Sequence, residues 1–222
     1  MFAVTITFAS FDWVMGLDYA WFSTIWGVYV FSGAALASMA VVVLAVNWLR
    51  GLGHLQRVVS GEHYHIMGKL LFAFTVFWAY IAFSQFFLIW YANIPEETRW
   101  FLVRNTEGWN TGNVVLVFAH FVVPFVVLLQ QWLKRRPLLI GIVAGYLLVV
   151  HALDVYLMII PERGITLTAG ADYLIRRAYW GDVLALLAVG AGFLWFFLRA
   201  LERHALYPHR DPRILESANI TN

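Results

Sequence analysis

Residues Met67 to Ala92 read MGKLLFAFTVFWAYIAFSQFFLIWYA. Past Lys69, near its start, no charged side chain interrupts the run. A helix needs roughly 20 mostly apolar residues to cross a bilayer, and this stretch exceeds that length. Four more segments have the same character: about Phe22 to Leu49, Val114 to Leu133, Leu138 to Ile160 and Trp180 to Leu201. The chain therefore reads as an all-α integral membrane protein, a bundle of about five transmembrane helices. Composition agrees. Hydrophobic residues make up 62% of the 222 residues and charged residues 13%, against about 25% charged in a soluble domain. Residues 1–21, with the aromatic, acid-bearing stretch Phe11 to Trp21, read as an interfacial segment rather than a sixth span. Residues 22–201 form the membrane domain. Residues 202–222, with Pro208 and Pro212, read as an extended surface tail.

Several functions are excluded or disfavoured at this level. The chain has no cysteine, so disulfides, thiolate metal sites, iron–sulfur ligation and cysteine nucleophiles are absent from it. The formal charge is +2, without a basic tract, and nucleic acid is not an expected partner. The N-terminus has no basic region and no small-residue cleavage site, so the first membrane helix is expected to act as its own insertion signal.

Loop charge predicts orientation. Arg50, Arg57, Lys69, Lys134, Arg135, Arg136, Arg199, Arg203, Arg210 and Arg213 fall on one side. Arg99, Arg104, Arg163, Arg176 and Arg177 fall on the other, mixed with Glu96, Glu97, Glu107, Glu162 and Asp172. The ten-to-five excess marks the first side as cytoplasmic, with the N-terminus outside and the C-terminus inside. Small residues at Gly33-x-x-x-Ala37, Gly141-x-x-x-Gly145 and Gly190-x-Gly192 are expected to let helices approach closely. Pro124 is expected to kink the third helix by removing a backbone donor.

Polar residues inside these helices are the candidates for function. His120, His151, Asp154, Gln85, Ser84 and Tyr29 fall at comparable depth in the outer half of the membrane. Tyr80 lies nearer the midplane and Asp182 near the outer mouth of the fifth helix. Intramembrane ionisable groups are costly and tend to face a bundle interior, where they mark proton, ion or ligand paths. His151 and Asp154, three residues apart, share a helix face. Such a pair suits proton relay, and equally a structural hydrogen bond between helices. His120 fits a relay or a bond to a backbone carbonyl. Two histidines at one depth also fit a bis-histidine haem b, against which Phe118, Phe121 and Val150 would crowd. His54, His63 and His65 read as a solvated loop rather than a metal site. Trp21, Trp26, Trp90, Tyr91, Trp100, Trp109, Trp132 and Tyr179 read as an interfacial aromatic belt. Phe72, Phe74, Phe77, Phe83, Phe86 and Phe87 read as lipid-facing or packing surface, and Lys134-Arg135-Arg136 as a topology signal.

Certain phrases resemble a known family. They are Phe72-Ala73-Phe74-Thr75-Val76-Phe77-Trp78-Ala79-Tyr80-Ile81-Ala82-Phe83-Ser84-Gln85, then Trp90-Tyr91-Ala92-Asn93-Ile94-Pro95-Glu96-Glu97-Thr98. Trp21-Phe22-Ser23-Thr24-Ile25, Ala119-His120-Phe121 with Pro124-Phe125, His151-Ala152-Leu153-Asp154-Val155-Tyr156 leading to Pro161, and Tyr207-Pro208-His209-Arg210-Asp211-Pro212-Arg213 agree. Together these resemble the smaller NrfD-like (polysulfide-reductase-type) membrane subunit of bacterial alternative complex III, a quinol:cytochrome c or quinol:acceptor oxidoreductase. The resemblance falls on the C-terminal half of longer family members, which suits a fragment, a split subunit or a short paralogue with an outside N-terminus. Where the family commonly has Pro-His before Trp-Phe-Ser-Thr, this chain has Tyr19-Ala20. The resemblance implies a subunit of the bacterial cytoplasmic membrane that holds no redox centre or other cofactor of its own. It implies menaquinone or ubiquinone nearby, with an NrfD-like sister subunit and iron–sulfur and multihaem cytochrome subunits as partners. It also implies a proton path for which His151, Asp154, His120, Tyr80, Gln85 and Asp182 are the candidates. A purely structural membrane anchor is the alternative, and a bis-histidine cytochrome b a further one.

Overall fold

The structure, a computed structural model, describes residues 1–166, 172–208 and 211–219, with the side chains of 107–108, 162–179, 215 and 217 outside that description. Expectations for the side chains of Glu107, Glu162, Arg163, Asp172, Arg176, Arg177, Tyr179, His209 and Arg210 therefore lie outside the described residues. Among the described residues every regular element is helical. These are α1 (Phe2–Trp13), a 3-10 turn (Met15–Leu17), α2 (Trp26–Gly51), α3 (Gly61–Ala92), α4 (Pro95–Arg104) and α5 (Glu107–Leu116). A π-helical stretch (Val117–Val122), α6 (Val123–Leu129), α7 (Gln131–Lys134), α8 (Pro137–Thr166), α9 (Asp172–Arg203) and α10 (Ile214–Ala218) follow. Among the described residues, five stretches are long and apolar enough to cross a membrane: Trp26–Gly51, Gly61–Ala92, Trp109–Leu129, Pro137–Pro161 and Trp180–Arg203. The architecture is that of a multi-pass membrane protein.

Local chemistry moves several boundaries. α3 starts at Gly61 rather than Met67, because Ser60 is an extended N-cap whose backbone N–H donates to His63 Nδ1 at 3.1 Å. This reciprocal cap satisfies a donor that the helix cannot. His63 and His65, expected in a solvated loop, thus lie in the first turns of α3, and His65 is buried. The third span ends at Leu129 rather than Leu133, because Gln130 is extended (φ −71°, ψ 114°) and α7 restarts after it.

The buried positions of α2 are Trp26 and Gly27, Tyr29, Ser32 and Gly33, Leu36, Ala40 and Val43. Those of α3 include Gly68, Leu71, Thr75, Trp78, Gln85 and Ile89. Both follow the alternating three- and four-residue spacing of a helix stripe. These stripes pack on each other and on α8, and the third span closes the bundle against α3 and α8. The core has two layers. One is mostly aliphatic, with Leu36, Ala40, Val43, Leu71, Leu128, Ile140, Ala144 and Leu147. The other is aromatic, with Trp21, Trp26, Tyr29, Trp78 and Trp100. Trp21 stacks on Trp100 at 4.4 Å, and Trp26 meets Trp21 and Trp100 edge-on at 5.2 and 4.9 Å. These three tryptophans are core residues, a correction to the belt expected from their place near helix ends. Trp90, Tyr91 and Trp132 do stand exposed.

Small residues matter at particular places. A Cβ on Gly33 would collide with His151, and one on Gly141 with the amide of Asn47, which donates to the Pro137 carbonyl at 2.7 Å. Gly145, Gly190 and Gly192 face no such neighbour. Lys134, expected as a surface charge, is buried against Gly68, and that burial, with Lys69 nearby, holds its pKa below the ordinary lysine value. α1 folds back along α2, Phe2 against Phe31 at 5.5 Å and Thr7 against Gly27. Its 12 residues rise only about 18 Å, short of the hydrocarbon thickness. The following turn is tied to α4 by Arg99 on Asp18 at 3.4 Å and by Trp21 Nε1 donating to the Glu97 carbonyl at 3.0 Å. The last span, Trp180–Arg203, is apart from this core, with none of its apolar stretch buried.

Pro161 lies inside α8. Proline has no N–H, so the carbonyl of Leu157, four residues earlier, loses its helical donor. Arg104 supplies the replacement. Its Nε donates to Leu157 O at 3.2 Å, its Nη2 to Met158 O at 2.7 Å and its Nη1 to Trp100 O at 3.0 Å. Its guanidinium lies 3.0 Å from the centre of the Trp100 ring. An arginine counted among loop charges is instead the plug of a proline break. Arg104→Met keeps the stem and removes the donors. The expected loss is on the order of 3 kcal/mol, since carbonyls inside the bundle would be left unpaired; Arg104→Lys should fall between. Reversible unfolding in mixed micelles measures both, and wild-type stability in the Met variant would show that Arg104 is not the plug.

Candidate functional site

His151 and Asp154 point from one face of α8 toward α2 and α3. Asp154 is 1% exposed, and a carboxylate so placed is costly unless its oxygens find donors. Both do. Tyr29 of α2 donates its hydroxyl to Oδ1 at 2.6 Å, and Trp78 of α3 donates Nε1–H to Oδ2 at 3.0 Å. His151 Nδ1 lies 3.5 Å from Oδ2, ion-pair range but beyond a good hydrogen bond. The His151 ring lies over Gly33.

His120 reaches the same place by a different device. The third span widens to a π-helix at Val117–Val122, with the Val123 N–H reaching back to Phe118 O. A π-turn adds one residue to the local register. Pro124 cannot donate the next such bond. The Ala119 carbonyl, which would have accepted it, takes the Tyr146 hydroxyl of α8 at 2.8 Å. The expected Pro124 irregularity is thus a π-bulge repaired from a neighbouring helix, and His120 sits within it, fully buried. Its ring meets Trp78 edge-on at 3.8 Å and faces His151 at 5.7 Å with 28° between planes. Neither ring nitrogen has a hydrogen-bond partner among the described residues. One donor atom from each of His120, His151 and Asp154 lies within 4.8 Å of the others.

Of the six candidates, the structure brings these three together. Gln85 is buried on the same face of α3 as Trp78, about 10 Å further along the axis. Tyr80 is 65% exposed on the other side of α3. Asp182 lies on α9, outside the packed core. The Trp78 indole lies edge-on against the His120 ring, and the Asp154 carboxylate lies beside His151. The sequence reading missed two essential members. Trp78 is a lone indole on the buried stripe of α3, which its spacing from Leu71, Thr75 and Gln85 could have revealed. Tyr29 was noticed only for its depth.

No protein-family model matches the chain, and no curated protein does.

Gly33 is the floor under His151, so Gly33→Ala forces the ring or a helix to move. The expected cost is about 1–3 kcal/mol, the range for overpacking. Gly145→Ala, where nothing lies within 4 Å, is the control and should be neutral or slightly stabilising. Equal stability of the two variants on denaturant titration would contradict the close approach.

Proposed function

We propose that this chain is a proton-handling membrane subunit of a bacterial respiratory quinol oxidoreductase of the alternative complex III type, without a redox centre of its own. The observation that carries the reading is Asp154, a buried carboxylate in a membrane-spanning helix, held by Tyr29 and Trp78 with two histidines beside it. Tyr29 and Trp78 satisfy both oxygens, as a structural role alone would also require. What favours proton handling is His151 at 3.5 Å and His120, neither of whose nitrogens has a hydrogen-bond partner among the described residues.

The chemistry follows from exposure and distance. The His151 side chain is 15% exposed and is the group through which a proton enters. A small ring rotation closes the gap between Nδ1 and Oδ2, and the proton passes to the carboxylate. Tyr29 and Trp78 keep the carboxylate oriented. The carboxyl proton then passes to a nitrogen of His120 as that ring swings in, since the three groups lie within 4.8 Å of one another and neither His120 nitrogen has a hydrogen-bond partner among the described residues. Menaquinone or ubiquinone chemistry takes place beside the chain, with electrons carried by an NrfD-like sister subunit and by iron–sulfur and multihaem cytochrome subunits. In this reading the C-terminus is cytoplasmic and the N-terminus outside. A structural-anchor role is the second reading, favoured by the last span, none of whose apolar stretch is buried.

Asp154→Asn keeps the shape and removes the proton-binding group. In the assembled, reconstituted complex it should lower proton translocation by about 100-fold, the low end for a positioned proton-transfer group, while assembly is retained. Normal translocation would leave the anchor role standing. Orientation is separately testable because the chain has no cysteine. A cysteine at Arg57 should react with an impermeant maleimide only in inverted vesicles, and one at Glu97 only in intact spheroplasts. The reverse pattern would overturn the topology.

A further inference from the structure

The geometry points to a binding site for a divalent transition-metal cation of the zinc class at His120, His151 and Asp154. The donor set is two imidazoles and a carboxylate, which suits zinc and its neighbours better than calcium or magnesium. Zinc bonds to such donors are about 2.0–2.2 Å long, so two donors on a tetrahedral ion lie about 3.4 Å apart. His151 Nδ1 and Asp154 Oδ2 are 3.5 Å apart. That separation is long for a hydrogen bond and right for two ligands of one ion. A nitrogen of His120 lies within 4.8 Å of a donor atom on each of these two residues, and a shift of roughly 1–1.5 Å by the His120 ring brings it to ligand separation.

His120 is the independent observation. It is wholly buried, and neither nitrogen has a hydrogen-bond partner among the described residues. A buried imidazole in that condition is destabilised unless something binds it. The remaining features are those of a metal site. Tyr29 and Trp78 each donate to the carboxylate, the kind of outer hydrogen bonding that fixes a ligand's orientation. The face of Gly33 holds the His151 ring. His151, partly exposed, gives a way in. Three protein ligands leave a fourth position for water, as in open rather than closed zinc sites.

The site uses the same groups as the proton reading above but does not rest on it. A bound cation would occupy the lone pairs that protons need, so the ion would act as an inhibitor of the relay. Binding is measured on the isolated full chain in nanodiscs, whereas the relay is measured in the assembled complex, so the two can fail separately.

The probes are Zn²⁺, titrated against a chromophoric chelator after chelator dialysis, and Co²⁺, read by its visible absorption. The expected result is one equivalent of Zn²⁺ per chain and tetrahedral-type Co²⁺ bands. His120→Gln should abolish both. This substitution removes no hydrogen bond among the described residues, and circular dichroism checks that the fold accepts the buried amide. Tyr29→Phe keeps all three ligands and should weaken binding by about 10-fold or more, as loss of an outer hydrogen bond does. Two results would overturn the site: no stoichiometric binding to the wild type, or binding unchanged in both His120→Gln and His151→Gln, which would place the ion elsewhere on the chain. Should His120→Gln fail to fold, His151→Gln with the Co²⁺ spectrum decides alone.

Discussion

The bundle is organised around a charge that lies where charge is expensive. Asp154 is buried on a helix rich in leucine, valine and isoleucine. An ionised carboxylate in such surroundings must be hydrogen-bonded or neutralised. Its two oxygens draw a phenol from α2 and an indole from α3. One carboxylate thereby fixes the mutual rotation of three helices. In lipid, where apolar surface alone gives little preference for one helix pairing over another, such bonds specify register. The aromatic layer above and the aliphatic layer below then pack around a contact that is already set.

Two prolines enforce a second constraint of the same kind. Each removes a backbone donor from a helix of the bundle, where a buried carbonyl left unpaired is costly. At Pro124 the repair is Tyr146, and at Pro161 it is Arg104. Both repairs cross from one helix to another. A defect in local structure thus becomes a tertiary bond. At Pro124 the accompanying π-bulge is also what holds His120 against Trp78. The site is therefore built from irregularities that the rest of the fold compensates.

These arrangements separate the chain into a tight part and an open part. α2, α3, the third span and α8 enclose the histidine–aspartate cluster. The last span contributes nothing to that enclosure, and Phe83, Phe86 and Phe87 of α3 also face outward. A buried polar centre beside large apolar surfaces suits a protein that works inside a bilayer.

The membrane character and the five spans were legible in the sequence, because long apolar runs are a one-dimensional signal. So was the pairing of His151 with Asp154, because residues three apart on a helix must share a face. Helix ends were less legible. The Ser60 cap and the extended Gln130 are single-residue conformations without a periodic mark. Depth grouped His120 with Gln85, with Tyr80 nearer the midplane and Asp182 at the outer mouth, but depth leaves the rotation of each helix free. Only the tertiary structure decided that rotation. It turned Tyr80 outward and brought Tyr29, Trp78 and His120 to Asp154. It also carried Arg104 from a supposed loop into the break at Pro161. The reason is physical: hydrogen-bond partners for buried groups come from other helices, and which helix supplies them is a property of packing.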